Sequence, residues 1–138
     1  MTTKRELILA ALSAGLGIER NPVIGDFSGT FAALRDGAIE LTEEFINGDI
    51  FEFTATPVLI LAVEGGSTAS RDAAIDALIE SRLTQLDLLR ASLGAAGLIS
   101  DLRPQAPDYE ANDVWGAVGV KAAEVPIEID YWSDRSVG

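Results

Sequence analysis

The clearest strand pattern in the chain lies at residues 50–64, where apolar and polar side chains alternate. One face carries only apolar residues: Phe51, Phe53, Ala55, Leu59, Leu61 and Val63. The other face is polar at first (Glu52, Thr54, Thr56) and apolar later (Val58, Ile60, Ala62). We therefore predict a strand that starts half exposed and ends buried on both sides. Because Pro57 has no N–H to donate, it predicts either an edge position or a bulge midway.

Two segments have the spacing of amphipathic helices. The first follows Thr3, which forms a capping box with Glu6, and is predicted to run for about 12 residues to Gly15 or Gly17. The second is predicted over residues 67–93, unless a break near residues 82–85 divides it. Its apolar stripe consists of Ile75, Leu78, Ile79, Leu83, Leu86, Leu89 and Leu93.

Further strands complete a β-rich pattern. Short strands are predicted at residues 18–20, 31–35 and 98–102, and Asp36-Gly37 predicts a turn after the second. A last strand over residues 118–132 points Val125, Ile127, Ile129 and Tyr131 one way, and Glu124, Glu128 and Asp130 the other. Such alternation is typical of an antiparallel sheet with one face on the core and the other in water or at an interface. We expect one α+β domain over residues 1–138, a small and mostly antiparallel sheet flanked by two main helical regions on one face.

Composition removes most catalytic chemistries. The chain has no Cys and no His, which excludes disulfides, thiolate zinc sites, Cys nucleophiles and any imidazole base. Two acidic clusters, one at Glu40, Glu43 and Glu44 and one at Asp108, Glu110 and Asp113, offer oxygen ligands for a hard cation. Neither has the spacing of an EF-hand loop, so solvated loops are the favoured interpretation. We expect no catalytic residues, no metal ligands and no cofactor.

The charge is strongly negative, with 22 acidic and 10 basic residues and a net charge of −12. A surface of this sign repels phosphate, which disfavours a protein that grips nucleic acid. No segment has the roughly 18 consecutive apolar residues of a membrane helix, so we expect no membrane partner. The first 16 residues have a helical period interrupted by Glu6, and we interpret them as a mature helix of a cytoplasmic protein rather than a signal peptide.

The order of four features resembles the tail terminator (tail completion) proteins of long-tailed phages and of related gene-transfer particles. The features are an N-terminal helix followed by Glu19-Arg20-Asn21-Pro22; Leu34-Arg35-Asp36-Gly37; Val63-Glu64-Gly65 with a helix opening at residues 71–78; and residues 121–127 running into a strand with Tyr131. The likeness spans nearly the whole chain. One departure is Ala38-Ile39-Glu40-Leu41, where the family would have an acidic residue and a proline.

The resemblance implies a structural virion protein. It implies a sheet flanked by helices and a homohexameric ring that caps the tail tube and joins it to the head-completion (connector) protein. DNA would pass through the ring without specific binding. The location implied is the head-proximal end of the tail, after assembly in the host cytoplasm.

Three aromatic residues are candidates for a subunit or partner interface. Phe51 and Phe53 lie at the half-exposed start of their strand, although both would equally suit the core. Trp132 falls on the acidic face of the last strand, where an aromatic residue favours either a partner or a covering loop. The candidate channel-lining acids are Asp108, Glu110, Asp113, Glu124, Glu128 and Asp130.

Two other classes of protein stay open. One is a small carboxylate-based enzyme or ligand-binding module that uses a divalent cation, which predicts a monomer with a polar pocket. The other is a soluble adaptor that forms dimers. Native mass spectrometry separates the three readings, because they predict six copies, one copy and two copies.

Overall fold

A computed structural model describes residues 2–22, 29–44, 50–109 and 119–134. The elements, in chain order, are α1 (Lys4–Leu16), β1 (Glu19–Arg20), β2 (Thr30–Glu44), β3 (Phe51–Glu64), α2 (Thr68–Ala95), β4 (Asp101–Pro104) and β5 (Val120–Ser133). The strands form one sheet in the order β1-β2-β3-β5-β4. Only β1 and β2 are parallel, and the other neighbours are antiparallel. The α+β prediction, with a mostly antiparallel sheet, is confirmed.

Both helices pack on the same face of the sheet. The core joins Ile8, Leu9, Leu12 and Leu16 of α1 and Ile75, Ile79, Leu86 and Leu93 of α2 to alternate residues of β3 and β5. The two helices approach each other closely at Gly15, where a Cβ atom would collide with the side chain of Leu89. This arrangement covers one face of the sheet with helices, and none of the described helices lies on the opposite face.

The helix ends follow the predicted caps with one change. Thr3 accepts from the Glu6 N–H at 3.1 Å, and α1 ends at Gly17 in the left-handed conformation. The Glu6 carboxylate does not complete a capping box, because it pairs with Arg20 at 2.6 Å. α2 begins after its N-cap Ser67 and continues without the break considered for residues 82–85.

β2 is much longer than the predicted strand of five residues. Asp36-Gly37 forms a β-bulge within the strand instead of a turn, because the register between β2 and β3 shifts between Arg35 and Ala38. Gly37 has φ +68°, and a Cβ atom there would collide with the Thr56 carbonyl. The shift falls opposite Pro57, and β3 is a central strand. Of the edge position and the bulge that Pro57 predicted, the bulge is therefore correct.

β3 and β5 match their predicted alternation. The odd-numbered residues of β3 are buried along the strand, while the even-numbered ones change from half-buried at Glu52 to fully buried at Ala62. β5 extends over Val120–Ser133 with its apolar side chains in the core. The strand predicted at residues 98–102 lies later, at Asp101–Pro104, because Leu98 and Ile99 follow the end of α2 and pack against the core before β4 begins.

Candidate interaction surface: the open face of the sheet

The sheet face opposite the helices, here called the open face, carries three of the six predicted channel-lining acids. Its side chains come from alternate positions of four strands: Arg35 and Glu40 of β2; Glu52, Thr54, Thr56, Val58, Ile60 and Ala62 of β3; Asp101 and Arg103 of β4; and Ala122, Glu124, Pro126, Glu128, Asp130 and Trp132 of β5. The face is apolar and buried around Ile60 and Ala62, and polar around Thr54 and Asp130. The predicted acids Glu124, Glu128 and Asp130 therefore share one surface.

Arg103 is the centre of an ion-pair cluster on this face. Its guanidinium lies 2.8 Å from Asp130, 2.9 Å from Asp101 and 3.1 Å from Glu128. Arg90 reaches Asp101 from α2 at 3.3 Å. These charge-assisted contacts join the short edge strand β4 to the end of β5.

The cluster changes the titration of its carboxyl groups. The hydrogen bond from Arg103 holds the pKa of Asp130 below its ordinary value, against the opposing effect of burial, and a further hydrogen bond from Thr54 adds to the lowering. The pKa of Asp101 is lowered by the Arg103 hydrogen bond and then by the Leu102 N–H. The pKa of Arg103 is raised, first by Asp130. All three groups are therefore ionised at neutral pH.

A second ion pair crosses the central strand. Arg35 of β2 reaches Glu124 of β5 at 2.6 Å, with β3 between them. Four acids of the open face are thus matched by three arginines, so their negative potential is weaker than the acids alone would suggest. Glu40 and Glu52 differ, because neither has a basic partner among the residues that the structure describes.

The other predicted acids are only partly placed. Asp108 pairs with Glu124 through its backbone, donating at 2.8 Å and accepting at 3.0 Å, and its side chain is exposed. Next to it, Tyr109 donates to Asp76 of α2 at 3.2 Å, and Lys121 lies 3.3 Å from Asp72. Glu110 and Asp113 lie outside the described residues.

The three candidate interface aromatics divide into two groups. Phe51 and Phe53 are only 9% and 4% exposed in the single chain, and the Phe53 ring stacks on Tyr131 with centroids 5.5 Å apart. Both rings therefore belong to the core, which was the alternative to an interface position. They have little surface area left to bury against a neighbouring subunit. Trp132 is 40% exposed on the open face, and its carbonyl accepts from Lys4 at 2.8 Å.

The described residues offer no metal centre. No three carboxylates are grouped as potential ligands in these parts of the chain, with the Glu43, Glu44, Glu110 and Asp113 side chains outside the description. No described helix is long and apolar enough to span a membrane. The sequence pattern did not predict the arginine partners of the acids on the open face. Asp101 and Arg103 stand at alternate positions and would share a strand face, but the strand predicted at residues 98–102 ended before Arg103.

Comparisons with known proteins add no family. Neither the models of known protein families nor the curated proteins give a match to this chain.

Proposed function

We propose that this chain is a structural virion protein of the tail terminator type. Six copies form a ring that caps the tail tube, contacts the head-completion protein and lets DNA pass through its hole. The observation that carries the proposal is the division of the sheet: helices and the apolar core occupy one face, and the open face presents carboxylates from β2, β3, β4 and β5.

The charge of the open face supports a surface that DNA slides past. Phosphate groups are repelled by carboxylates, so a ring lined by the open face would not retain the duplex. Glu40 and Glu52 contribute most here because no described arginine neutralises them. The arginines paired with the other acids hold those side chains in place on the sheet.

Trp132 supports the proposal from the side of assembly. It is a large aromatic side chain exposed at the polar end of the open face, and aromatic residues are enriched where subunits meet. A cyclic ring requires two different surfaces of each copy to meet head to tail. Of the three predicted aromatic residues, Trp132 has the largest exposed fraction, at 40%.

Electron microscopy of the purified protein, alone and mixed with tail tubes, tests the ring. We expect six-fold rings with a central hole, or tubes that carry a ring at one end only. Particles that remain single copies while every tube end stays bare would contradict the proposal.

Paired charge reversals test which surface faces the DNA. Glu40→Lys with Glu52→Lys changes the open face, and Glu80→Lys with Asp87→Lys makes the same net change on exposed positions of α2. We expect rings of the first variant alone to retain duplex DNA in a mobility-shift assay at low salt. Equal retention by both variants would place the open face away from the hole.

A further inference from the structure

The direction of the backbone groups in β2 can be read from one hydrogen bond. Asn21 donates its N–H to the Leu34 carbonyl at 2.8 Å, so Leu34 directs its backbone groups towards β1. In an antiparallel ladder, residues that lie opposite each other either both face the partner strand or both face away from it. Leu59, opposite Leu34, therefore directs its backbone groups away from β2.

The same rule places two further residues on the outer edge of β2. Ile39 and Leu41 lie opposite Ala55 and Phe53, which stand an even number of positions from Leu59 along β3. Ile39 and Leu41 therefore direct their N–H and C=O groups outward. β1 ends at Arg20, and no strand or loop among the described residues pairs with β2 beyond the bulge. The register with β3 shifts again between Leu41 and Glu43, so the regular part of this edge is Ala38–Leu41, which we call the free edge.

At the opposite edge of the sheet, β4 presents no unpaired outward N–H group. Ser100 donates to the Asp130 carbonyl at 2.7 Å, which fixes Asp101 as the residue that faces β5 and leaves Leu102 and Pro104 facing outward. The Leu102 N–H is occupied by the Asp101 carboxylate at 2.9 Å, and Pro104 has no N–H. Proline and a local side-chain acceptor are common ways to keep an edge strand from pairing.

The side chains beside the free edge have a distinct chemistry. On the helix side, Leu41 is 46% exposed and Ile39 is half-buried. On the open face, Glu40 is exposed and Glu52 is half-buried, and neither has a basic partner among the described residues. An apolar strip on one side of the edge and unmatched carboxylates on the other thus flank the outward backbone groups.

We propose that the free edge binds an extended segment of a partner protein in which apolar and basic side chains alternate. Such a segment adds a strand to the sheet and exchanges about four backbone hydrogen bonds with Ile39 and Leu41. Because side chains alternate along a strand, its apolar residues cover Leu41 while its lysines or arginines reach Glu40 and Glu52. This inference stands whether or not the copies form a ring.

The charges favour such a partner over a second copy of this chain. Pairing two free edges about a two-fold axis would place the Glu40 and Glu52 side chains of both copies on one face with no base between them. Like charges across neighbouring strands destabilise the pairing. A second copy would bring further carboxylates next to Glu40 and Glu52, whereas a basic segment would pair with them.

A synthetic peptide of about nine residues that alternates Val and Lys is the probe, since this length spans the free edge. A peptide that alternates Val and Glu is its control. We expect saturable binding of the Lys peptide in a fluorescence anisotropy titration, with slowed amide exchange at Ile39 and Leu41, and at least about tenfold weaker binding of the Glu peptide.

Two variants make the test specific. Leu41→Pro removes an outward N–H that the β3 ladder does not use, whereas Leu41→Val keeps that donor and most of the apolar surface. We expect about tenfold weaker binding by Leu41→Pro and little change for Leu41→Val. Glu40→Lys leaves the backbone intact and is expected to reverse the preference between the two peptides. If Leu41→Pro does not fold, this variant still tests whether the peptide binds at the free edge.

Three results would overturn the proposal. One is equal binding by a folded Leu41→Pro variant and by Leu41→Val. Another is a pattern of amide protection that leaves Ile39 and Leu41 unchanged. The third is a dimer in sedimentation experiments that Leu41→Pro abolishes and Leu41→Val preserves, because the occupant would then be a second copy.

Discussion

Leu59 and Leu61 of β3 are fully buried against the helices, whereas Thr54 and Thr56, which point the other way, lie half-buried among charged side chains. Both faces belong to the same strand and share its backbone hydrogen bonds. They differ in what covers them: α1 and α2 seal the first face, and ion pairs between strands organise the second.

The difference separates stability from recognition. Burial of apolar side chains on the helix-covered face contributes most of the folding free energy, since each fully buried leucine contributes roughly 1.5–3 kcal/mol. Exposed ion pairs contribute about 1 kcal/mol or less each. The polar end of the open face can therefore change its charges with a small effect on the fold, which suits a surface used for contact with other molecules.

Truncation of neighbouring residues on the two faces is expected to give the largest contrast. Leu59→Ala should lower the free energy of unfolding by about 2–5 kcal/mol, because it leaves a cavity in the core. Val58→Ala, on the open face one residue away, should cost about 1 kcal/mol, because Val58 is only half-buried. Urea denaturation measures both values. Equal losses would show that the open face at Val58 is as buried as the helix-covered face at Leu59.

Loss of the arginine cluster is expected to have a smaller effect. Arg103→Met keeps much of the side-chain volume but removes the contacts to Asp101, Glu128 and Asp130. We expect a loss of about 1 kcal/mol at pH 7, because the pairs are partly exposed and screened by salt. Thermal denaturation at low and high salt measures the loss, which should shrink as salt increases.

The stability lost in Arg103→Met is also expected to depend on pH. The pKa of Asp130 is lowered in the folded protein, first by its hydrogen bond from Arg103. A lowered folded pKa contributes stability above the unfolded value of about 3.9, and that contribution is lost as the pH falls through the folded pKa. The difference between wild type and Arg103→Met should therefore be constant near neutrality and narrow below about pH 4. A difference that stays the same below about pH 4 would mean that Arg103 acts through packing alone and not through its contact with the Asp130 carboxylate.

The sequence predicted the helix-covered face better than the open face. Strong periodicity located α1, α2, β3 and β5, because burial against one layer imposes a regular apolar spacing. Asp36-Gly37 looked like the end of a strand, since a bulge and a turn use the same residues, and the free edge beyond it was missed. The pairing of Arg35 with Glu124 across 89 positions was likewise beyond reach, because it depends on the strand order and not on local spacing.

The smallest expected effect concerns the polar atom buried on the apolar face. Tyr131 is fully buried, and its hydroxyl has no hydrogen-bond partner in the described parts of the chain. An unsatisfied buried hydroxyl destabilises the folded state, so Tyr131→Phe should leave the free energy of unfolding unchanged or raise it by up to about 1 kcal/mol, while the stacking on Phe53 is kept.

A pH series gives this prediction a second readout. Burial raises the pKa of Tyr131 to about 12, whereas an unfolded tyrosine titrates near about 10. A raised folded pKa means that stability is fully present below the unfolded value and is lost as the pH rises through the folded one. Wild type should lose this contribution on the alkaline side, and Tyr131→Phe should not. A loss of more than about 1 kcal/mol at neutral pH in the variant would instead show that the hydroxyl has a hydrogen-bond partner, such as an ordered water. The helix-covered face would then contain a polar contact within its apolar core.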